Sequence, residues 1–173
     1  MLVFRRDASG NVAPLRRLTG HEGNLNTDNV AVDPVHDLLV VSTRVSDRPQ
    51  PIRSKLQIFS RTAEGNARPL RVITGEKSHV TYTSGPFVVY PPTGKIIAGM
   101  RGESGERIAS EDSMVGVWSI NDNGDVPPQY TIGGPNGILQ MVRGVAVNAK
   151  HKELIVTDKR LNAVLTFYFP EIF

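Results

Sequence analysis

The sequence contains no cysteine, and this absence excludes disulfides, thiolate metal sites and cysteine nucleophiles. It also lacks any run of roughly 18 apolar residues, the length that a membrane-spanning helix needs, so no membrane span is predicted. Neither sign of charge dominates, because 20 Lys and Arg stand against 17 Asp and Glu. The resulting charge of +3 does not by itself indicate nucleic acid as a partner.

Helical periodicity is missing as well. The apolar segments are short, rich in β-branched and aromatic residues, and separated by Gly, Pro and Asn. This pattern predicts an all-β fold, and a length of 173 residues suits a single domain.

The chain does have one pattern that occurs three times. In each copy an aromatic residue (Phe4, Phe59 or Trp118) is followed by Gly 6 positions on, by Pro 10 positions on and by a second Gly 16 positions on. Identical offsets in three copies indicate a repeat architecture. A fourth aromatic strand, 164–167, comes near the end of the chain.

Each repeat is predicted to form four antiparallel strands, named a to d from inner to outer, which is the blade of a β-propeller. Strand b is apolar without alternation, as expected when both of its faces are covered. The first Gly tolerates positive φ and predicts the hairpin turn between strands c and d. Pro at the start of strand d, and Arg16, Arg17 and Arg71 along it, are typical of an outer edge strand, where charge prevents aggregation.

The strands amount to about three blades, and their order is out of phase with whole blades because it starts and stops at strand c: c-d, a-b-c-d, a-b-c-d, a-b-c. The blades are predicted at about 1–20 (partial), 30–74, 87–132 and 145–169 (partial). About three blades cannot close a ring that typically needs about four to eight. We therefore expect additional blades from the same polypeptide, from a second copy in a homodimer or from another chain. The aromatic tail 167–173 either covers an open end or is the last core strand.

The strands at 29–34 (Asn-Val-Ala-Val-Asp-Pro) and 143–148 (Arg-Gly-Val-Ala-Val-Asn), with the segment 60–66, resemble those of bacterial NHL-type and lactonase-like β-propellers. The resemblance implies a propeller of a kind that is often exported, which favours a periplasmic or extracellular location. It also implies three functions to choose among: a binding scaffold, a metal-dependent lactonase-like hydrolase, or an RNA-binding face.

The loops between strands d and a would surround the central channel of such a propeller. Their candidate ligand-binding residues are His21, Glu22, Asn24, Asp28, His79, Tyr82, Asn136 and Arg143. A lactonase-like site would hold a hard divalent cation with oxygens of Glu22, Asn24, Asp28 and Asn136. The same residue types are common in solvated loops, and His21 and His79 are predicted as surface or turn histidines.

No catalytic residue, metal site or cofactor is predicted. No Ser lies in a recognisable nucleophile setting, and the Gly-rich segment 133–137 opens no helix that could bind a phosphate. Asp33, at the end of the first strand a, either points into the channel as a ligand or caps the turn that follows it. The latter role is the one predicted.

The loops between strands b and c alternate in charge, being basic at 43–55 and acidic at 101–114. A continuous phosphate track needs one sign of charge, so nucleic acid is not predicted as a partner. The leading hypothesis is a non-enzymatic binding or scaffold module that presents its d–a and b–c loops to a protein or another ligand. The alternatives are a fragment of a metal-dependent hydrolase and an RNA-binding face.

Overall fold

The structure, a computed structural model, describes residues 1–20, 25–45, 53–81, 83, 85–101 and 113–173. Within these ranges the chain forms strands and turns, and helical structure is confined to two 3₁₀ turns, Pro91–Thr93 and Pro170–Ile172. No helix in the described part is long and apolar enough to cross a membrane. The predicted all-β fold is confirmed.

The strands form four antiparallel sheets of two to four strands. Sheet 1 consists of β1 (Leu2–Val3) and β2 (Arg16–Arg17), and sheet 2 consists of β3 (Thr27–Asp33), β4 (Leu38–Val45), β5 (Arg53–Ser60) and β6 (Arg71–Ile73). Sheet 3 consists of β7 (Val88–Tyr90), β8 (Lys95–Arg101), β9 (Ser113–Ser119) and β10 (Tyr130–Gly133), and sheet 4 of β11 (Val142–Asn148), β12 (Glu153–Asp158) and β13 (Ala163–Tyr168). This succession of two, four, four and three strands is the one that the repeat predicts.

Equivalent turns align the three larger sheets residue by residue. The residue before the second strand of each sheet is left-handed, with φ of 60° at Asp37, 60° at Gly94 and 57° at Lys152. From these anchors, Leu39, Ile96 and Leu154 are equivalent and all pack toward the preceding sheet. The residues that follow them, Val40, Ile97 and Ile155, have the opposite orientation because successive side chains of a strand alternate between its faces.

The core lies in three apolar layers, one between each pair of consecutive sheets. The layer between sheets 1 and 2 contains Leu18, Leu39, Val41 and Phe59. The layer between sheets 2 and 3 includes Val40, Leu56, Ile58, Ile96 and Trp118, and the layer between sheets 3 and 4 includes Ile97, Val115, Val117, Leu154 and Val156. Sheets 2 and 3 are thus apolar on both faces, as the non-alternating second strands predict.

Backbone hydrogen bonds fasten the outer strand of one sheet to the hairpin turn of the next. The Gly65 N–H donates to the Arg17 carbonyl at 2.7 Å, and the Thr19 N–H donates to the Gly65 carbonyl at 2.8 Å. Between sheets 2 and 3, the Gly124 N–H donates to the Val72 carbonyl at 2.7 Å in the same way. The repeated glycine therefore serves both as a turn and as a connection between sheets.

The arginines of the outer strands strengthen the same connections. The Arg16 guanidinium donates to the Arg61 carbonyl at 2.8 Å, and that of Arg71 donates to the Ile120 carbonyl at 2.7 Å. Both arginines are two positions after the repeated proline. The predicted outer edge position of these strands is confirmed, and the side chains of Arg16 and Arg71 also lie across the junction to the next sheet. Arg17 alone remains exposed.

The repeat predicts that Phe4 packs between sheets as Phe59 and Trp118 do. This prediction is wrong: Phe4 is 45% exposed, because it is on the face of sheet 1 that no described sheet covers. The tail packs into the core, which is one of the two alternatives that the sequence leaves open. Its 3₁₀ turn places Ile172, fully buried, in the layer between sheets 3 and 4, where the Thr93 hydroxyl donates to the Ile172 carbonyl at 2.8 Å.

Gly116→Ala is expected to destabilise the fold by about 1–3 kcal/mol, because a Cβ at this position would overlap the buried indole ring of Trp118. Urea unfolding followed by Trp fluorescence measures the loss. Gly144→Ala is the matched control, since its nearest neighbour is Thr157 Oγ1 at 3.2 Å. Equal losses in the two variants would contradict the steric explanation.

Arg71→Ala is expected to cost about 1–2 kcal/mol of unfolding free energy, because the carbonyl of the buried Ile120 loses a charged donor. Arg17→Ala, which removes an exposed side chain from an outer strand, serves as the control and should change the unfolding free energy by less than about 0.5 kcal/mol. The idea that Arg71 joins two sheets fails if the two substitutions have the same effect.

Candidate interaction surfaces

One end of the sheets gathers the loops that the sequence identifies as candidates for binding. The pairs Thr27 with Thr43, Thr83 with Met100, and Val142 with Asp158 are equivalent in register. The first strands of sheets 2 and 4 begin here, an isolated bridge at Thr83 has the same position ahead of β7, and the second strands end here. The loops that precede the first strands and follow the second strands therefore share this end, which we call the loop end.

Asp28 and Arg143, both predicted site residues, occupy equivalent irregularities in the first strands of sheets 2 and 4. The register shifts between Thr27 and Asn29 in one sheet and between Val142 and Gly144 in the other. These shifts allow pairing to continue to Thr27 and Val142, so the strands begin three residues earlier than the apolar pattern predicts. Such bulges redirect the side chain of the extra residue.

The charges at the loop end follow the repeat. Arg44, Arg101 and Lys159 are each one position beyond the equivalent pairs, at the ends of β4, β8 and β12. Asp28 forms an ion pair with Arg44, at 3.1 Å between carboxylate oxygen and guanidinium nitrogen. At the position equivalent to Asp28, sheet 4 has the cation Arg143, so the described part of this end becomes more basic from sheet 2 to sheet 4.

Of the other predicted site residues, the structure describes His79 and Asn136. His79 is exposed in a turn with φ of 52°, as predicted for a turn histidine, and Asn136 is exposed in the loop before sheet 4. His21, Glu22, Asn24 and Tyr82 lie outside the described residues, as do most of the loops whose charges were predicted to alternate. Within the described ranges, no three His, Asp or Glu side chains come together as a metal site.

Asp33 caps the turn after β3, which confirms the predicted role. One carboxylate oxygen accepts the backbone N–H groups of Val35 and His36 at 3.0 Å each, and the other contacts His36 Nδ1 at 2.8 Å. The carboxylate is fully buried and both its oxygens have partners. It is thus fixed at the end of the sheets opposite to the loop end.

Asp158 organises the loop end of sheet 4, a role that the sequence does not reveal. One oxygen accepts the N–H groups of Gln140 and Met141 at 2.7 and 2.8 Å, and the other accepts those of Arg160 and Leu161 at 3.0 and 3.1 Å. Burial on its own would raise the Asp158 pKa, but these four donors favour the ionised form and lower the pKa below its ordinary value. The carboxylate thereby joins two loops.

A second kind of candidate surface is the half-covered face of sheet 2. Val30 and Val32 are 49% and 51% exposed on β3, although they share this face with the buried Leu39 and Phe59. At the position equivalent to Val30, Phe87 is 4% and Val145 is 7% exposed. The difference arises because sheet 1 has only two strands, and they cover the outer half of sheet 2.

The last sheet has a matching uncovered face. Val164 and Tyr168 on β13 are 67% and 73% exposed, whereas Leu56 and Val115, the equivalents of Val164, are fully buried. Ile155 and Ala146 continue this surface across β12 and β11. Residues 146, 155, 164 and 168 form a contiguous apolar surface, which the polar residues Glu153, Thr157 and Thr166 share on the same face.

No protein-family model matches the sequence, and no curated protein matches it significantly.

Asp158→Asn is expected to lower the unfolding free energy at neutral pH by about 1–3 kcal/mol, because the amide nitrogen cannot accept from buried N–H donors. Since the pKa of Asp158 is lowered by folding, its contribution is complete above the unfolded pKa of about 4 and is lost as the pH falls through the folded value.

Urea unfolding of both proteins at pH 7 and in acid tests this expectation. The difference between wild type and Asp158→Asn should shrink in acid, where wild-type Asp158 becomes protonated. Asp28→Asn, at the more exposed ion pair with Arg44, should change stability by at most about 1 kcal/mol. A constant or growing difference for Asp158→Asn in acid would contradict the assigned role.

Proposed function

We propose that this chain is a non-enzymatic binding and scaffold module made of β-propeller blades, in which the four sheets are consecutive blades or parts of blades. The repeat, the four-strand antiparallel order of sheets 2 and 3, and the face-to-face packing of successive sheets support this assignment. Its primary activity is assembly with further blades through the uncovered faces of sheets 2 and 4.

The observation that carries the proposal is the contrast between Val30 and its buried equivalents, Phe87 and Val145. All three have the same position in the repeat, and the last two are covered by the first and second strands of the preceding sheet. Sheet 1 lacks those two strands among the described residues, so part of an apolar interface is left in solvent. Contiguous exposed apolar surface of this kind marks an interaction site.

The loop end supplies the second element of the proposed module. Asp158 holds the segments 140–141 and 160–161 together at this end of sheet 4, and Asp28 and Arg143 lie at register shifts at the same end in sheets 2 and 4. Loops fixed on a rigid sheet scaffold are common binding surfaces. The cations Arg143 and Lys159 would favour an acidic protein surface as the ligand presented to sheet 4, since complementary charge fixes the orientation of a partner.

Val30→Asp together with Val32→Asp is expected to reduce self-association of the chain by tenfold or more, because two charges would have to be buried in the interface. Sedimentation velocity over a range of concentrations measures the association. The monomer should keep its stability, since both side chains are already about half exposed.

Val35→Asp is the matched control, because Val35 is 68% exposed in the turn beyond β3 and outside the apolar face. It should leave association unchanged. The proposal fails if wild type sediments as a monomer at every concentration, or if the double substitution leaves association as strong as in wild type.

A further inference from the structure

The three outer strands attach to their neighbours by the same hydrogen bond. The N–H of the residue after the repeated proline donates to a carbonyl of the neighbouring strand, which is β1, β5 or β9. The bonds run from Leu15 to Val3 at 2.8 Å, from Leu70 to Ile58 at 2.7 Å and from Gln129 to Val117 at 2.7 Å. In each case the next residue, Arg16, Arg71 or Tyr130, is paired with the strand residue that accepts the bond. Each outer strand therefore pairs with its neighbour, β1, β5 or β9, in the same register.

Strand β13 is equivalent to β5 and β9, but no outer strand of the described residues pairs with it. Thr166 pairs with Ile155, as Ile58 pairs with Val40 and Val117 with Ile97, so Thr166 is the equivalent acceptor. Among the described residues, β13 pairs only with β12. An edge of six residues, Ala163–Tyr168, is thus available for strand addition.

The chain also contains an outer strand whose own partner is short. β2 pairs with β1, which contributes two residues, whereas the equivalent strands β5 and β9 have eight and seven. Met1 packs on the layer between sheets 1 and 2 and exchanges hydrogen bonds with Leu18, but Leu2 is 50% exposed and Phe4, just beyond β1, is 45% exposed. β13 is longer than β1 and has an equivalent sequence pattern, with Phe167 in the position of Phe4.

We propose that β13 of one copy pairs with β2 of a second copy and displaces β1 from it, a geometry that rests on the proposed assembly of blades. The Leu15 N–H of the second copy donates to the Thr166 carbonyl, Arg16 lies opposite Thr166, and Leu18 lies beside Val164. Sheet 4 thereby gains its fourth strand from the second copy.

The uncovered faces match in this arrangement. Ala146 and Ile155 on sheet 4 are equivalent to Ala31 and Val40, which pack against sheet 3 in the layer that buries Phe87. In the proposed dimer, Ala146 and Ile155 therefore face Val30 and Val32 of the second copy with the same kind of apolar surface. Two copies joined reciprocally contain six four-stranded sheets, a number within the range of about four to eight at which propellers close.

The absence of cysteine allows a direct test. In a protein carrying both Thr166→Cys and Arg16→Cys, the two thiols lie opposite each other on paired antiparallel strands of different copies, where their Cβ atoms are close enough for a disulfide. Mild oxidation should give a covalent dimer on non-reducing gels. Thr157→Cys with Arg16→Cys is the matched control, since Thr157 is exposed on the same face but separated from the edge by β13, and it should stay monomeric on the gel.

Removing residues 1–4 gives a second readout. Because β1 competes with β13 for the same edge of β2, its removal should lower the dimer dissociation constant about tenfold or more in sedimentation measurements. If β1 is instead a permanent part of the interface, the truncation weakens association and overturns the proposal.

The outcomes separate the two proposals. If Val30→Asp with Val32→Asp abolishes association but the Thr166–Arg16 thiols do not crosslink, the copies assemble through their faces and strand exchange is wrong. If association is insensitive to the charges at 30 and 32, the proposed function itself fails. A crosslink that forms equally in the Thr157 control also overturns the assigned register.

Discussion

Burial of both faces of each sheet is the constraint on which the rest of this structure depends. Sheets 2 and 3 have apolar side chains on each side, and neither side is stable in water unless another sheet covers it. Sheet 2 has a full neighbour on one side and a two-stranded neighbour on the other. Where a neighbouring sheet covers a face, successive sheets pack together. Where cover is missing, the valines of β3 and one face of sheet 4 remain exposed.

Equivalent positions in the repeat show which of these exposed side chains are unusual. A half-exposed valine on a surface needs no explanation by itself. Val30 is different because Phe87 and Val145 have the same position in register and are almost completely buried. Likewise, Val164 is exposed where Leu56 and Val115 are buried. The repeat provides its own reference state, so the missing cover can be located to particular strands without any related protein.

The offsets of glycine, proline and aromatic residues were sufficient to predict the strand order, because turn geometry and two-faced burial are local properties that sequence spacing records. The roles of Arg16 and Arg71 could not be predicted in this way. Their acceptor carbonyls are 45 and 49 residues away in the sequence and become neighbours only when two sheets pack. Asp158 escaped prediction for the same reason, since two of its donors, Gln140 and Met141, precede it by 18 and 17 residues. Asp33 was predictable because its turn lies directly after it.

The three junctions are not alike in their chemistry. Backbone hydrogen bonds through Gly65 and Gly124 join sheets 1, 2 and 3, whereas the contacts described between sheets 3 and 4 involve side chains, including the bond from the Val142 N–H to Ser113 Oγ and the edge-to-face contact of Tyr130 with Phe169 at 5.7 Å between ring centroids. Hydrophobic association weakens as temperature falls. Cooling should therefore loosen sheet 4 before the other three, and amide exchange near 0 °C would show faster opening in β12 than in β4. The molecule would then have one region that is sensitive to cold beside another that is not.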